Sequence, residues 1–337
     1  MDLDLSADQE EMVAAFRTFF VRECPPAVVR DAEPDGFDRR VWTTFLSMGG
    51  PTIGVAEVHG GGGASLLDLE LIAEPAGATL APIPLVETLV AARLLTADGI
   101  RGGGDVDPEA ITTLALRPAV DGAARLVPAG AVADAVVGLD GDDLVVVTEP
   151  APGGVPGNLG CLPLADRGLR GASRRVLASG ADAHRAHTAA LDEWRSLTAG
   201  ALVGLAGAAL DIGVEYAKDR QQFGRAIGSF QSIARDLADA ATLVDGARLL
   251  VRETAWAADE GEPEASALAR MALMFSARAA QKATAVALHV HGGYGFTLEY
   301  DIQLYYRRAK AWPLVLEDQR VGAQRAADAL FGPIGAH

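Results

Sequence analysis

A mainly α-helical fold with a small β domain in its middle is the class this sequence predicts, from three observations. Long alanine-rich runs with apolar residues at helical spacing fill the C-terminal part of the chain. β-branched runs broken by Gly, Pro and Asp fill a central stretch from about Ile111 to Val176. The N-terminal part opens on a helix-start signature. Spacing near 3.6 marks helix, and short β-branched runs between turn residues mark strand. Three segments are expected in chain order: an N-terminal helical domain over 1–108, a shortened β domain over 109–187 and a C-terminal helical bundle over 188–337.

In the first segment, Ser6-Ala-Asp-Gln9 fits a capping box, in which the Ser6 hydroxyl and the Gln9 side chain satisfy amides that a helix start leaves unpaired. Met12, Ala15, Phe16 and Phe19 follow at helical spacing, so a helix is predicted to run to Pro25-Pro26. A second is expected over about Arg40 to Met48. Gly49-Gly-Pro51 and Gly60-Gly-Gly-Gly63 then bracket a loop-rich stretch before a helix from about Ser65 to Gly77. In the central segment, Asp134-Ala-Val-Val-Gly138 and Leu144-Val-Val-Val-Thr148 read as strands. Beyond about Thr188, helices are expected over Trp194 to Asp219, Phe230 to Glu260 and Pro263 to His289. Ile233, Leu237, Ala240, Val244 and Val251 trace one apolar stripe; Leu268, Met271, Phe275, Ala279 and Val286 trace another. With a short segment from Glu299 to Lys310 and a last helix ending near Phe331, a bundle of four to five helices follows.

A chain of 337 residues, 50% of them hydrophobic, can bury one large core or several smaller ones. Its formal charge of -16 argues against a general nucleic-acid binder and against attraction to an anionic membrane surface. An anionic ligand must therefore be met by local positive charge. Cys24 and Cys161 belong to no CxxC or Cys/His cluster, and the six histidines show no ligand spacing, so neither a disulfide framework nor a metal site is expected. No uninterrupted apolar run approaches about 18 residues, and Met1-Asp-Leu-Asp lacks the basic start of a signal peptide. A cytoplasmic protein without membrane insertion is expected.

Two glycine-containing bends stand out: Tyr216-Ala-Lys-Asp-Arg-Gln-Gln-Phe-Gly-Arg-Ala-Ile-Gly-Ser-Phe-Gln231 and His291-Gly-Gly-Tyr-Gly-Phe296. Each joins two helical runs. Gly, Arg, Gln and His build cores poorly, so their concentration at these joins points to a ligand or a partner backbone passing close by. Taken singly, each residue also has a structural role open to it: Arg220 as a cation at a helix C-terminus, Phe223 as a loop anchor in the core, Gly224 as the residue beyond a helix end. The joint pattern says more. Together the two stretches resemble the C-terminal domain of the acyl-CoA dehydrogenase family, whose signatures read approximately Tyr-x-x-x-Arg-x-Gln-Phe-Gly-x-x-Ile-x-x-Phe-Gln and Gly-Gly-x-Gly-Phe. Trp42, Gly60 to Gly63, and the run from Glu74-Pro-Ala-Gly77 to Pro82-Ile-Pro84 resemble the family's N-terminal helical domain more loosely.

The resemblance implies an oxidoreductase of lipid metabolism. A carboxylate would remove the α-proton of an acyl-CoA thioester while the β-hydride passes to FAD, and an electron-transfer acceptor would reoxidise the flavin. In the family the FAD is shared across a dimer interface. The matching positions here imply Arg220 for the pyrophosphate region, Phe223 against adenine and Gln231 for a polar contact. Gly292, Gly293 and Gly295 would let backbone approach a neighbouring subunit's cofactor. The residue types suit these roles, since a guanidinium is a planar fork for phosphate oxygens and a flat ring stacks on a flat ring. His289 and His291 lack acidic or cysteine neighbours at ligand spacing and read as structural or interface residues.

The sequence departs from the family pattern in four places. Members of ordinary length run roughly 40 to 60 residues longer, with the deficit here falling mainly in the middle segment. Leu114-Ala-Leu-Arg-Pro118 stands where a Thr-Glu-Pro loop is expected, without the hydroxyl or the acid. Many relatives carry the base in a Tyr-Glu-Gly-Thr stretch soon after Arg-x-Ala-Lys; here Arg307-Arg-Ala-Lys310 leads to Glu317 one residue late, with no Gly-Thr after it. A second family position for the base falls at Trp194, beside Glu193. A one-residue shift on a helix turns a side chain by about 100 degrees. Three readings follow: a dehydrogenase with Glu317 as its base, acting as a homo-oligomer; a base-lacking subunit of a hetero-oligomer whose full-length acyl-CoA dehydrogenase partner supplies the carboxylate, with bulky steroid side-chain thioesters as one substrate class; or a helical scaffold that has lost the flavin. The retained Arg220, Phe223 and Gln231 speak against the scaffold.

Overall fold

The capping box forms as the sequence prescribes. In this computed structural model, which describes residues 5–101 and 106–332, the Ser6 hydroxyl accepts from the Gln9 amide at 3.2 Å and the Gln9 side chain accepts from the Ser6 amide at 3.1 Å. They start α1 (Ala7–Glu23). Short α2 (Pro26–Asp31) follows, then α3 (Arg39–Leu46), whose first turn is capped by Asp38 accepting from Val41. Gly50–Gly54 forms a 3-10 turn before α4 (Leu66–Ala78) and α5 (Leu85–Thr96).

The β segment contains β1 (Thr112–Leu114), β2 (Ala123–Val127), β3 (Ala135–Asp140), β4 (Asp143–Thr148), β5 (Ala165–Gly168) and β6 (Arg175–Ser179). β1-β3-β4-β6 form one sheet in that order, with β1 parallel to β3 and the other pairings antiparallel. β2 and β5 pair separately, antiparallel. Val136 and Val145 pack with Ala124, Val127 and Leu169 into one core. β3 is buried at all six positions, which explains the apolar run from Ala135 to Leu139 that precedes Asp140. Buried Arg167 donates to the carbonyls of Gly130, Ala133 and Glu149, pairing backbone oxygens that the turns leave over.

The remaining chain is α6 (Ala181–Asp219), a two-stranded hairpin β7 (Gln221–Gln222) and β8 (Arg225–Ala226), α7 (Gln231–Asp259), α8 (Ala265–His291), α9 (Ile302–Ala311) and α10 (Gln319–Phe331). Two compact units result. One gathers Met1–Pro26, Glu70–Ala81 and Ser196–His337; the other gathers Ala27–Leu69 and Pro82–Arg195. In the first, α7 packs along α8, while α4 and α6 meet backbone to backbone. A Cβ on Gly77 would overlap the Ala201 backbone, and one on Gly204 would overlap the Glu74 carbonyl.

Three features differ from the sequence expectation. α6 begins at Ala181 instead of Trp194, because the polar-looking His184-Arg-Ala-His187 stretch is helical; His187 is buried with its ring 2.9 Å from the Ala115 carbonyl. α5 was not anticipated: it is buried almost all round, so it carries no amphipathic period to read. On α8 the buried row is made of small residues, Ala269, Ala272, Ser276, Ala279 and Ala283, whereas Leu268, Met271 and Phe275 stay half-buried. α6 also holds a window long and apolar enough to cross a membrane, 67% of it buried inside the protein like that of a core helix.

Candidate functional site

α6 ends at Asp219, and the chain turns back through β7 and β8 before α7 begins at Gln231. The turn residues of this hairpin are Phe223 and Gly224, with φ of +51 and +77 degrees. Positive φ at both positions is the signature of a type I′ connection, which Asn-Gly fills without strain. A phenylalanine there costs about 1–2 kcal/mol. It is not repaid by burial, since Phe223 is 92% exposed, with its ring set edge-on to that of Phe230 at 6.1 Å between centroids. Phe223 therefore anchors no core, and Gly224 closes a hairpin instead of a helix end.

Arg220 and Gln231 flank this hairpin, both exposed. The Arg220 backbone holds the fold, donating to Tyr216 and accepting from Ile227. Its guanidinium, like the Gln231 amide, has no partner among the described residues. Arg225 lies 4.2 Å over the Phe230 ring.

The second bend joins α8 to α9. His291 is buried; its Nδ1 lies 2.7 Å from the Ala287 carbonyl, and its ring stacks on Tyr216 at 4.1 Å. His289 is exposed. Gly292, at φ +63 degrees, and Gly293 are exposed, and a Cβ on either would meet nothing within 4 Å. Gly295 differs: its Cβ would come within 2.8 Å of the Leu288 carbonyl, so the chain's own packing demands a glycine there. Tyr294, Phe296 and Leu298 are 56%, 64% and 77% exposed. Ala217, Ile227, Leu237, Val286 and Val290 form one buried cluster under Tyr216 and Phe230, which brings both bends to the same end of the bundle. That end offers an exposed ring, an unpaired guanidinium and bare glycine backbone. Such a surface suits a flat, phosphate-bearing ligand.

The carboxylates are arranged differently. Glu317 is 10% exposed at its side chain and accepts from Arg325 at 2.5 Å. In the other unit Glu193 is held by Arg93 in a two-point ion pair, at 3.0 and 3.2 Å, while the third Arg93 nitrogen reaches the carbonyls of Gly54 and Ala64. This pair lines a cleft of about 420 Å³ with Leu94, Ile100 and Ala178. Trp194 is buried with its indole nitrogen 3.5 Å from Glu87, a carboxyl whose pKa burial raises. After β1, Ala115 and Leu116 are buried and Arg117 is exposed. Sequence reasoning passed over Glu87, the one acid of α5, and Glu70, which stands between Leu69 and Leu71 on α4. Among the described residues no three His, Cys, Asp or Glu gather as metal ligands.

Comparison with known proteins supplies the family. Residues 6–101 match the acyl-CoA dehydrogenase N-terminal domain and residues 184–315 its C-terminal domain. The chain is 32% identical to acyl-CoA dehydrogenase IpdE2 of Mycobacterium tuberculosis over 303 residues, 88% of each protein. It is 29% identical to IpdE2 of Mycolicibacterium smegmatis over 97% of this chain and 100% of that one. Among solved structures, the ChsE4-ChsE5 complex of Mycobacterium tuberculosis superposes with a TM-score of 0.84 at 25% identity, covering 98% of this chain and 99% of that one.

Proposed function

Since this chain belongs to the acyl-CoA dehydrogenase family, we propose that it holds FAD at the bundle end carrying Phe223 and takes part in the α,β-dehydrogenation of an acyl-CoA thioester. The observation that carries the cofactor assignment is Phe223 itself, an aromatic ring kept 92% exposed in a left-handed turn position. Local energetics disfavour that arrangement, and residues held so tend to serve a ligand or a partner. The residues present fit a dinucleotide. Arg220 would grip pyrophosphate oxygens, Phe223 would lie against adenine, Gln231 would add a polar contact, and the open backbone of Gly292 and Gly293 would admit a neighbouring subunit's cofactor; Gly295 supports that turn from inside. When bound, FAD supplies the hydride acceptor. The remaining task is the α-proton, and Glu317 is this chain's candidate for it.

A second reading has its own support. The Glu317 carboxylate is already engaged by Arg325 and would have to leave that ion pair to reach a substrate α-carbon. In that reading this chain is the base-lacking subunit of a hetero-oligomer. A full-length acyl-CoA dehydrogenase subunit would bring the carboxylate, acting on thioesters as bulky as steroid side chains, and electrons would leave to an electron-transfer acceptor. Likeness to a two-subunit complex supports this. A cytoplasmic location fits both readings.

Purification decides between them. A yellow chain that bleaches when acyl-CoA is added, and stops bleaching in Glu317→Gln, selects the first reading. Yellow colour only after co-expression with a partner subunit selects the second. In either assembly Arg220→Ala should lower flavin content; a protein colourless under every condition overturns both.

A further inference from the structure

We propose that Glu70 and Arg252 form a proton-operated latch at the junction of α4, α6 and α7: neutral Glu70 lies unpaired in the α4–α6 contact, and its ionisation draws in Arg252 and strains that contact.

Glu70 is fully buried, and neither carboxyl oxygen has a hydrogen-bond partner. The Cβ position of Gly200 on α6 lies 3.0 Å from Glu70 Oε1, and further along both helices Gly77 and Gly204 hold them backbone to backbone. Four residues on along α4, Glu74 accepts from Arg248 Nε at 2.9 Å, and Arg248 Nη1 also donates to Asp245 at 3.0 Å. Arg248 is thereby occupied. Arg252, one turn further along α7, is not: its Nε is buried without a partner. Arg248, Arg252 and Glu74 line a cleft of about 500 Å³, with Asp211 of α6 and Arg17 of α1 at its walls. Glu74, Arg252 and Arg248 are the charged groups that act on Glu70.

An ionised carboxyl in this position would be desolvated beside Glu74, so the neutral form is favoured. Burial, then the charge of Glu74, pushes the Glu70 pKa up to about 8, against the opposing pull of Arg252 and Arg248. The folded chain therefore keeps a proton that the unfolded chain releases near its ordinary value of 4.5. As pH rises between those two values, the unfolding equilibrium constant climbs about tenfold per pH unit from this one group, and the climb ends above the folded value.

The test is denaturant unfolding of the full chain across this pH range, wild type against Glu70→Gln, with infrared detection of the protonated-carboxyl band. The wild type should lose stability as pH rises, and the band should fade through pH about 8. Glu70→Gln should lack that band component and lose about tenfold per pH unit of the slope. Arg252→Met should move the fading to higher pH, which a merely space-filling Glu70 would not do. If Glu70→Gln fails to fold, Glu70→Leu serves in its place. Parallel pH curves for wild type and variant, or no Glu70-dependent band at neutral pH, overturn the latch.

Discussion

Replacing Phe223 by Asn should stabilise the folded chain while weakening its hold on a cofactor. Phe223 has φ +51 degrees, a conformation that Asn adopts readily, so the exchange recovers about 1 kcal/mol of backbone strain. Little is lost in return. With the side chain 92% exposed, under a tenth of its surface leaves water, and burying an entire Phe contributes only about 1.5–3 kcal/mol, so this burial contributes about 0.2. The exposed edge contact with Phe230 adds about 0.5 kcal/mol at most. The net is a gain of about 0.3 kcal/mol, or a fraction of a degree to about one degree in Tm for a chain of this size. The assay pairs denaturant midpoints at constant m value with flavin absorbance of the purified assembly. A destabilisation above about 1.5 kcal/mol would make Phe223 a structural anchor, and unchanged flavin content would remove it from the ligand surface. Either result refutes the reasoning.

Two further substitutions probe the scaffold. Gly204→Ala places a Cβ into the Glu74 carbonyl and should destabilise by about 2–4 kcal/mol in thermal or denaturant unfolding, whereas Gly207→Ala, whose nearest neighbour is the Arg248 tip at 3.7 Å, should be neutral or slightly stabilising. Arg93→Met leaves Glu193 and the carbonyls of Gly54 and Ala64 unpaired, so unfolding should become easier by about 2–4 kcal/mol; Glu193→Gln, which keeps a hydrogen-bonding group in place, should cost less.

What could be read in advance follows from where the signal is local. The Ser6–Gln9 capping box, β3 and β4 and the ends of α7 lie within a few residues of their expected places, because caps, β-branched runs and apolar stripes act over short distances. α5 escaped because full burial erases amphipathic contrast, and the start of α6 escaped because His184 to His187 look like surface. The bends were recognisable as a joint pattern. Their internal chemistry was not: only three-dimensional packing separates the open Gly292 and Gly293 from Gly295, wedged against Leu288. Likewise nothing in the one-dimensional text joins Glu317 to Arg325, eight residues on, or exposes Glu70 as a carboxyl without a partner.

The most direct test of the central claim is a structure of the flavin-loaded assembly. The account predicts the adenine ring of the dinucleotide against Phe223, its pyrophosphate within hydrogen-bond reach of Arg220, and a second protomer contributing to the same cofactor's site. A dinucleotide bound elsewhere, with the Phe223 hairpin and the Gly292–Gly293 backbone still facing solvent, would contradict it.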